Sequence, residues 1–237
     1  VVFSVIYLWL YPGLGSAKGS LNWTSTGQYE AEQARARAAI APLYARFAAM
    51  DEKQLAADVQ AMAIGERLFI NNCAACHGSD GRGSKGFPNL TDSDWLWGGS
   101  FADVQKTITE GRNGVMPPMA EAIGGGDNVR NIAQYVLSLA GSPHDSVAAQ
   151  LGKPKFAVCA ACHGPEGKGN PAVGAPNLTD KVWLHGWGEE AIAAMVNNGK
   201  NNAMPAQASR LTPEQIRVLA AYVLRLSQGT TKVAANP

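Results

Sequence analysis

The sequence of 237 residues has few features of a disulfide-stabilised secreted fold, a nucleic-acid-binding protein or a polytopic membrane protein. Its four cysteines all belong to two C-x-x-C pairs, so none is left for a structural disulfide. Its 20 lysines and arginines nearly balance its 19 aspartates and glutamates, and it has no basic aromatic patch, which argues against nucleic-acid binding. Residues 1–11 are apolar and uncharged, but a transmembrane helix needs about 20 such residues. The cysteine pairs are therefore the feature most informative about chemistry.

Each cysteine pair is followed directly by a histidine. The segment Cys73–His77 reads C-A-A-C-H, and the same five letters return at Cys159–His163. C-x-x-C-H is the attachment signature of a c-type haem, in which two thiols add to the vinyl groups of one porphyrin and the histidine can bind the iron. The sequence therefore predicts two covalently bound haem c groups and a role in electron transfer. The attaching thiols are Cys73, Cys76, Cys159 and Cys162.

Two other kinds of site use C-x-x-C pairs, namely thioredoxin-like redox motifs and zinc sites. Thioredoxin-like motifs occur in βαβ units, and this sequence has no strand-rich stretch. A zinc site would have to join two motifs that lie 86 residues apart, with a domain-sized segment between them. Haem attachment is therefore the favoured interpretation. Because c-type haem is attached outside the bacterial cytoplasm, it also predicts a periplasmic location for these segments.

The two motifs begin a longer internal repeat. After each motif comes Pro-Asn-Leu-Thr-Asp, at 88–92 and again at 176–180. A Gly-Arg/Lys-Asn segment that ends in Met-Pro follows at 111–117 and 199–205, and a terminal apolar helix at 132–139 and 219–226. Each copy has about 80 residues, a size that buries little core without a cofactor. The apolar residues of the terminal segment are spaced as in a helix. We therefore expect two tandem helical domains, each built around its own haem.

This repeat resembles the class I cytochrome c family over residues 63–141 and 150–228. The resemblance implies an all-α fold in which a few helices surround one haem. It implies that the motif histidine is one axial ligand of the iron and that the methionine of the Met-Pro loop is the other. These pairs would be His77 with Met116 and His163 with Met204. It also implies that a proline carbonyl accepts a hydrogen bond from each histidine ring, Pro88 for the first histidine and Pro176 for the second.

Two alternatives for the methionine ligands stay open at this point. Met119 follows Met116 by three residues and could bind the iron instead, although the second repeat has no counterpart to it. The methionine of one repeat could also reach the iron of the other, with ligation inside each repeat as the default. The remaining histidines, His144 and His185, stand outside the repeated ligand set, and we predict that both lie at the surface.

The segment before the first repeat predicts a membrane fragment and a connector. Residues 1–11 carry three aromatic residues suited to a membrane interface and are followed by Pro12-Gly13, so we expect the last half of a transmembrane helix, or else the remnant of a signal peptide. We divide the chain into a truncated membrane helix (1–13), a helical connector (14–62), a first cytochrome domain (63–141), a linker (142–149), a second cytochrome domain (150–228) and a tail (229–237).

The whole chain resembles the dihaem cytochrome c subunit, subunit III, of cbb3-type cytochrome c oxidases. The resemblance includes the stretch Leu10-Tyr11-Pro12-Gly13-Leu14-Gly15, then Lys18-Gly19 and Trp23, ahead of an Ala/Glu/Arg-rich helix and two haem domains. It implies an electron-transfer subunit without a catalytic site of its own, anchored in the bacterial inner membrane with its cytochrome domains in the periplasm. The implied partners are the haem-copper catalytic subunit, a monohaem cytochrome c subunit and a soluble donor cytochrome c.

Other dihaem proteins are the alternatives. A membrane-anchored or soluble dihaem carrier would have the same haem sites, and the cytochrome subunit of a membrane dehydrogenase usually has a different number of motifs. A dihaem peroxidase needs one iron with an accessible sixth position. The two Met-Pro loops argue against a peroxidase because each predicts a filled position.

Overall fold

The structure, a computed structural model, describes residues 1–13 and 18–233, without the side chains of 229–233. Leu14 and Gly15 of the quoted resemblance, and residues 234–237 of the predicted tail, lie outside the described residues. The chain divides into two compact units, Val1–Ala49 and Met50–Pro237.

The first unit contains helices α1 (Val2–Leu10) and α2 (Ser25–Ala48). The apolar side chains of α1 are exposed along most of its length. After α1 the chain turns back, and the N–H of Ser20 donates to the carbonyl oxygen of Trp9 at 2.8 Å. A Cβ on Gly19 would lie 2.2 Å from the carbonyl oxygen of Leu10, so only glycine permits this close approach. Among the described residues, no helix has both the length and the apolar character needed to cross a bilayer.

The second unit is mostly helical. Capping boxes begin α3 at Asp51 and α6 at Ser100, and the Thr212 hydroxyl accepts the N–H of Gln215 at 3.3 Å at the start of α11. Two 3₁₀ turns, Glu121–Ile123 and Lys153–Phe156, lie beside the α-helices. The α-helices are α3 (Glu52–Ala57), α4 (Val59–Asn72), α5 (Ala74–His77), α6 (Phe101–Glu110), α7 (Asp127–Leu139), α8 (Ser146–Gly152), α9 (Ala157–His163), α10 (Glu189–Asn198) and α11 (Pro213–Val233).

The prediction of an all-α fold is wrong, because the structure contains a two-stranded antiparallel sheet. Strand β1 (Arg112–Met116) comes from the first repeat and pairs with strand β2 (Lys200–Met204) of the second, in a register that joins Arg112 to Met204 and Met116 to Lys200. The strand sequences are rich in asparagine and glycine, which have low strand propensity. A single repeat also offers neither strand a partner, so the sheet forms only when both copies meet.

The terminal helices are exchanged between the two repeats. Helix α7 ends the first repeat in sequence but packs against α8, which leads from the linker into the second repeat, and against α10 of the second repeat. Helix α11 ends the second repeat and packs against α4 and α6 of the first. Glycines permit these contacts, since a Cβ on Gly65 would lie 2.6 Å from the Cβ of Tyr222 and one on Gly152 would lie 2.1 Å from the carbonyl oxygen of Asn131. Each repeat therefore contributes its last helix to the core of the other.

A polar network around the buried side chain of Gln134 holds α7 in its exchanged position. The side-chain amide of Gln134 donates to the carboxylate of Glu189 at the start of α10, and its carbonyl oxygen accepts the N–H of Asp145 at 2.7 Å. The guanidinium of Arg130, one turn earlier, lies 3.1 Å from the carboxylate of Asp145 and 3.4 Å from that of Glu189. Because Gln134 is buried, each of these bonds replaces one that water would otherwise make.

We predict that Gln134→Leu lowers the free energy of unfolding by about 1–3 kcal/mol, because it removes two hydrogen bonds of a buried side chain, one to Glu189 on α10 and one to Asp145 before α8. The measurement is urea unfolding followed by circular dichroism. Gln150→Leu makes the same chemical change at an exposed position of α8 and serves as the control. Equal losses in the two variants would contradict a role for this network.

Candidate haem-binding sites

The motif histidine of the first site, His77, is the last residue of helix α5. The helix ends at Gly78, whose φ of 79° favours glycine, and the ring of His77 is buried. Its Nδ1 lies 2.9 Å from the carbonyl oxygen of Pro88. A hydrogen bond there requires the proton on Nδ1, which leaves Nε2 with a free lone pair, the form in which histidine binds a metal.

The motif histidine of the second site has the same environment. His163 ends helix α9 before Gly164, whose φ is 78°, and its Nδ1 lies 3.0 Å from the carbonyl oxygen of Pro176. Burial lowers the pKa of His163, and the bond to Pro176 opposes that shift only in part. The ring is therefore neutral at pH 7, with Nε2 again available to a metal ion.

All four motif cysteines are free thiols. Within each pair, the first cysteine is half-buried and the second is exposed. Burial, with a smaller contribution from Cys76, raises the pKa of Cys73 to about 11, and burial also raises the pKa of Cys159. In each motif a thiol that lies against the protein interior is thus paired with one at the rim, an arrangement suited to attaching one planar group along its edge.

The second site is lined by an apolar cluster drawn from both repeats, here called the second-site cluster. Cys159 and Leu178 of the second repeat pack against it, and so does Met116 of the first repeat. The buried members are Ile123, Val129, Ile132, Ala133, Val136, Leu137, Phe156, Ile192 and Val196. Met116 therefore packs on the same cluster as a cysteine of the other repeat's motif.

A backbone hydrogen bond fixes the loop after Met116 at the second site, and its counterpart fixes the loop after Met204 at the first. The N–H of Met119 donates to the carbonyl oxygen of Val196 at the end of α10, at 2.8 Å. The N–H of Gln207 donates to the carbonyl oxygen of Ile108 near the end of α6, at 2.9 Å. Each Met-Pro loop is therefore attached to the middle helix of the other repeat.

The terminal helix of each repeat also contacts the loop that follows the cysteine motif of the other repeat. A Cβ on Gly81, four residues after His77, would lie 3.0 Å from Leu226 of α11. A Cβ on Gly167, four residues after His163, would lie 2.9 Å from Leu139 of α7. Aromatic contacts also join the two repeats. The ring centroids of Phe69 and Tyr222 are 5.6 Å apart, and those of Tyr135 and Phe156 are 5.2 Å apart.

Of the ligand arrangements left open by the sequence, the packing favours exchange between repeats. Met119 also packs against the second-site cluster, so proximity alone does not separate it from Met116. The repeat does separate them, because the counterpart of Met119 is Gln207, whereas the counterpart of Met116 is Met204.

One residue at the junction of the repeats was misjudged from the sequence. His144 is exposed as predicted, but His185 is half-buried and its Nε2 is buried without a hydrogen-bond partner. Its position in the repeat corresponds to Trp97. That correspondence was the available signal, since a large aromatic residue at the same place in the other copy indicates a packed environment.

The residues of both sites fit haem c. Each site has two thiols and an imidazole held by its Nδ1, and each Met-Pro loop is hydrogen-bonded to the middle helix of the other repeat. At the second site the thioether lies on an apolar cluster that also bears Cys159 and Trp183, whose indole Nε1 is buried without a hydrogen-bond partner. Nitrogen and thioether sulfur are the axial donors of cytochromes c.

Comparison with known proteins identifies the family. The sequence model described as "Cytochrome C oxidase, cbb3-type, subunit III" matches residues 60–136 and 153–223. The chain belongs to this family. It is 66% identical to the cbb3-type cytochrome c oxidase subunit CcoP of Rubrivivax gelatinosus, over 99% of this chain and 77% of that protein. It is 45% identical to subunit FixP of Azorhizobium caulinodans over 71% and 61% of the two chains, and 37% identical to FixP of Bradyrhizobium sp. over 97% and 86%.

As a member of the subunit III family, the chain is an electron-transfer subunit of a cbb3-type cytochrome c oxidase and has no catalytic site of its own, as the sequence predicted. The cytochrome c family implies haem c as the cofactor. The other subunits of the oxidase are its partners, and the relatives belong to a bacterial respiratory oxidase that is associated with the membrane.

In this subunit III, carboxylates from both repeats meet beside the Pro-Asn-Leu segments. Burial raises the pKa of Asp92 and of Asp94 in the first repeat, and the negative charge of Asp180 in the second repeat raises both further. A carboxyl whose pKa is higher in the folded state stabilises that state in acid, and the contribution is lost as the pH rises through the folded pKa. At neutral pH the three charges therefore oppose the junction of the repeats.

We predict that Asp180→Asn raises the free energy of unfolding at pH 7 by about 0.2–1 kcal/mol, the scale of partly exposed charge interactions. The gain comes from the removed repulsion, so it should shrink as the pH falls through the raised pKa values of Asp92 and Asp94 and these two neighbours become protonated. Thermal unfolding between pH 3 and 7 measures it. Asp80→Asn, at an exposed carboxylate of the first repeat, is the control, and a gain that does not depend on pH would count against this cause.

Proposed function

We propose that the chain holds two haem c groups with axial ligands exchanged between the repeats. One iron would be bound by His77 and Met204, and the other by His163 and Met116. The observation that carries this proposal is the packing of Met116 against the cluster that also bears Cys159. When bound, each haem supplies a reversible one-electron couple at its iron. The proposed role is a relay of single electrons from a donor cytochrome towards the oxygen-reducing haem-copper subunit.

Different residues of the chain would have different roles in binding each haem. The two thiols of each motif would fix the porphyrin by its vinyl groups. The proline carbonyl at Nδ1 fixes the orientation of each histidine ring and increases the electron density at Nε2, as such bonds do for metal-binding histidines. A thioether as the second axial ligand raises the reduction potential. Such a potential suits a carrier that passes electrons on to an oxidase.

The pairing of β1 with β2 supports the proposal that both methionines act as ligands, because it links the two Met-Pro loops to each other. Arg112 pairs with Met204 and Met116 pairs with Lys200, so both methionines lie at ends of the same five-residue pairing. With both axial positions of an iron filled by protein side chains, oxygen and peroxide have no coordination site. This favours an electron relay over a dihaem peroxidase.

We further propose that α1 lies in the membrane and anchors the cytochrome domains on the periplasmic side, where a soluble cytochrome c delivers electrons. Residues 1–11 carry no charge, and Phe3 and Trp9 of α1 are 77% and 69% exposed. Apolar side chains exposed along a whole helix are typical of a segment that is covered by lipid or by another protein. The monohaem cytochrome c subunit and the haem-copper subunit are the partners that we propose within the complex.

The exchanged ligands can be tested in protein that carries one haem. In a Cys159→Ala/Cys162→Ala background, which keeps only the first attachment motif, we expect Met204→Ala to abolish the iron–sulfur charge-transfer band of the ferric form. Met116→Ala should leave that band intact. In intact protein, Met116→His should lower one midpoint potential strongly and leave the other nearly unchanged, because histidine stabilises ferrous iron less than methionine does.

The reciprocal background, Cys73→Ala/Cys76→Ala, is the matched control, and there the two methionine substitutions should exchange their effects. Ligation within each repeat gives the opposite result in both backgrounds. If neither methionine substitution removes the band, the methionine assignments themselves are wrong.

We also predict that carbon monoxide does not bind the ferrous form of the intact protein, because both axial positions of each iron are occupied. Optical spectra recorded with and without carbon monoxide measure this. Met116→Ala should open one position and bind one equivalent, which shows that the assay detects a vacant site. Ready binding to either iron of the unaltered protein would overturn the proposed six-coordinate sites.

A further inference from the structure

At the junction of the repeats, Trp97 in the first corresponds to His185 in the second. The guanidinium of Arg112, the first residue of β1, lies over the ring of Trp97 at 5.0 Å. His185 instead faces Lys200, the first residue of β2 and the counterpart of Arg112. A neutral indole in one copy is therefore replaced by a titratable imidazole in the other.

His185 lies where the second repeat crosses the first. The N–H of Gly86 donates to the carbonyl oxygen of Leu184 at 2.7 Å, and Gly86 precedes Pro88, which holds the ring of His77, by two residues. A Cβ on Gly186 would lie 3.8 Å from the ammonium nitrogen of Lys85. His185 is thus close to the loop that orients the first motif histidine.

The same imidazole also faces strand β2. The ring lies close enough to the amide of Asn202 and the ammonium group of Lys200 for both to influence its pKa. Both residues belong to β2, and Lys200 is paired directly with Met116 in the sheet. His185 therefore faces a strand that is hydrogen-bonded to the one that ends in Met116, the proposed sulfur ligand of the second iron.

The surroundings of His185 leave a positive charge on its ring uncompensated. Its Nε2 is buried without a hydrogen-bond partner, and the charged groups that face it are the ammonium groups of Lys85 and Lys200. Within residues 1–13 and 18–233, neither lysine belongs to a salt bridge. Burial, followed by the two lysines, lowers the pKa of His185, which the nearby side chain of Asn202 opposes. The ring is neutral at pH 7, and nearby negative charge would favour its protonation.

We propose that His185 couples proton uptake to the reduction of the second-motif haem, so that the potential of this haem depends on pH. On reduction, the iron would gain one electron from the donor cytochrome, and one proton from the solvent would bind the imidazole and offset the added negative charge. Both leave again on oxidation. The coupling is reciprocal, because a proton that favours reduction must bind more tightly to the reduced form. The inference rests on the proposed binding of two haems.

Redox titrations of the two-haem protein between pH 4.5 and 8 test it. We expect one midpoint potential to rise as the pH falls, and we expect His185→Gln, which keeps a hydrogen-bonding side chain but cannot be protonated, to abolish that dependence. His144→Gln makes the same change at an exposed histidine and should retain the full dependence. His185→Trp places in the second repeat the residue that the first repeat uses, and should behave as His185→Gln does.

A second measurement needs no variant. Nuclear magnetic resonance titration of the His185 ring should give a higher pKa in the fully reduced protein than in the fully oxidised protein. An unchanged pH dependence in His185→Gln, or equal ring pKa values in the two redox states, would overturn the coupling. Failure of the proposed function would appear differently, as fewer than two haems per chain in a pyridine haemochrome assay of the unaltered protein.

Discussion

The pairing of β1 with β2 is the constraint on which the rest of the cytochrome unit depends. The Met-Pro loop of each repeat leaves its middle helix in an extended conformation, with backbone groups that need partners. Each loop finds them in the other repeat, in a pairing that relates Arg112 to Met204 and Met116 to Lys200. Gly111 and Gly199 make the approach possible, since a Cβ on either would lie 2.4–2.5 Å from a methionine carbonyl oxygen. Once the strands have crossed, the following helices continue into the other repeat.

The exchange explains how two short repeats form one cooperative structure. Separated from the second repeat, the first would lose the α8 and α10 surfaces that cover α7, and its buried Gln134 would lose both hydrogen-bond partners. The second repeat would likewise lose the α4 and α6 surfaces that cover α11. Because small domains bury little apolar surface, sharing a terminal helix joins their cores and couples their stability. It also brings the environments of both proposed iron sites to a common junction.

The junction is where the symmetry of the repeats is broken electrostatically. Asp92, Asp94 and Asp180 bring like charges together, whereas His185 faces Lys85 and Lys200. Two sites built from similar repeats would otherwise have similar reduction potentials. Electrons pass in one direction along a relay when the potentials of its two haems differ. Charge differences at a partly buried junction can supply that difference, since screening by water is weaker there than at an exposed surface.

The sequence by itself determined the features that depend on residues close together in the chain. The spacing of Cys73, Cys76 and His77 specifies haem attachment, and helix starts such as Ser100 and Thr212 are visible as local capping patterns. The family followed from the same motifs. The sheet, the helix exchange and the burial of His185 were decided only in the tertiary structure. Because the two copies share the same motifs, local preferences do not distinguish pairing within a repeat from pairing between repeats, so long-range packing and backbone hydrogen bonding select the arrangement.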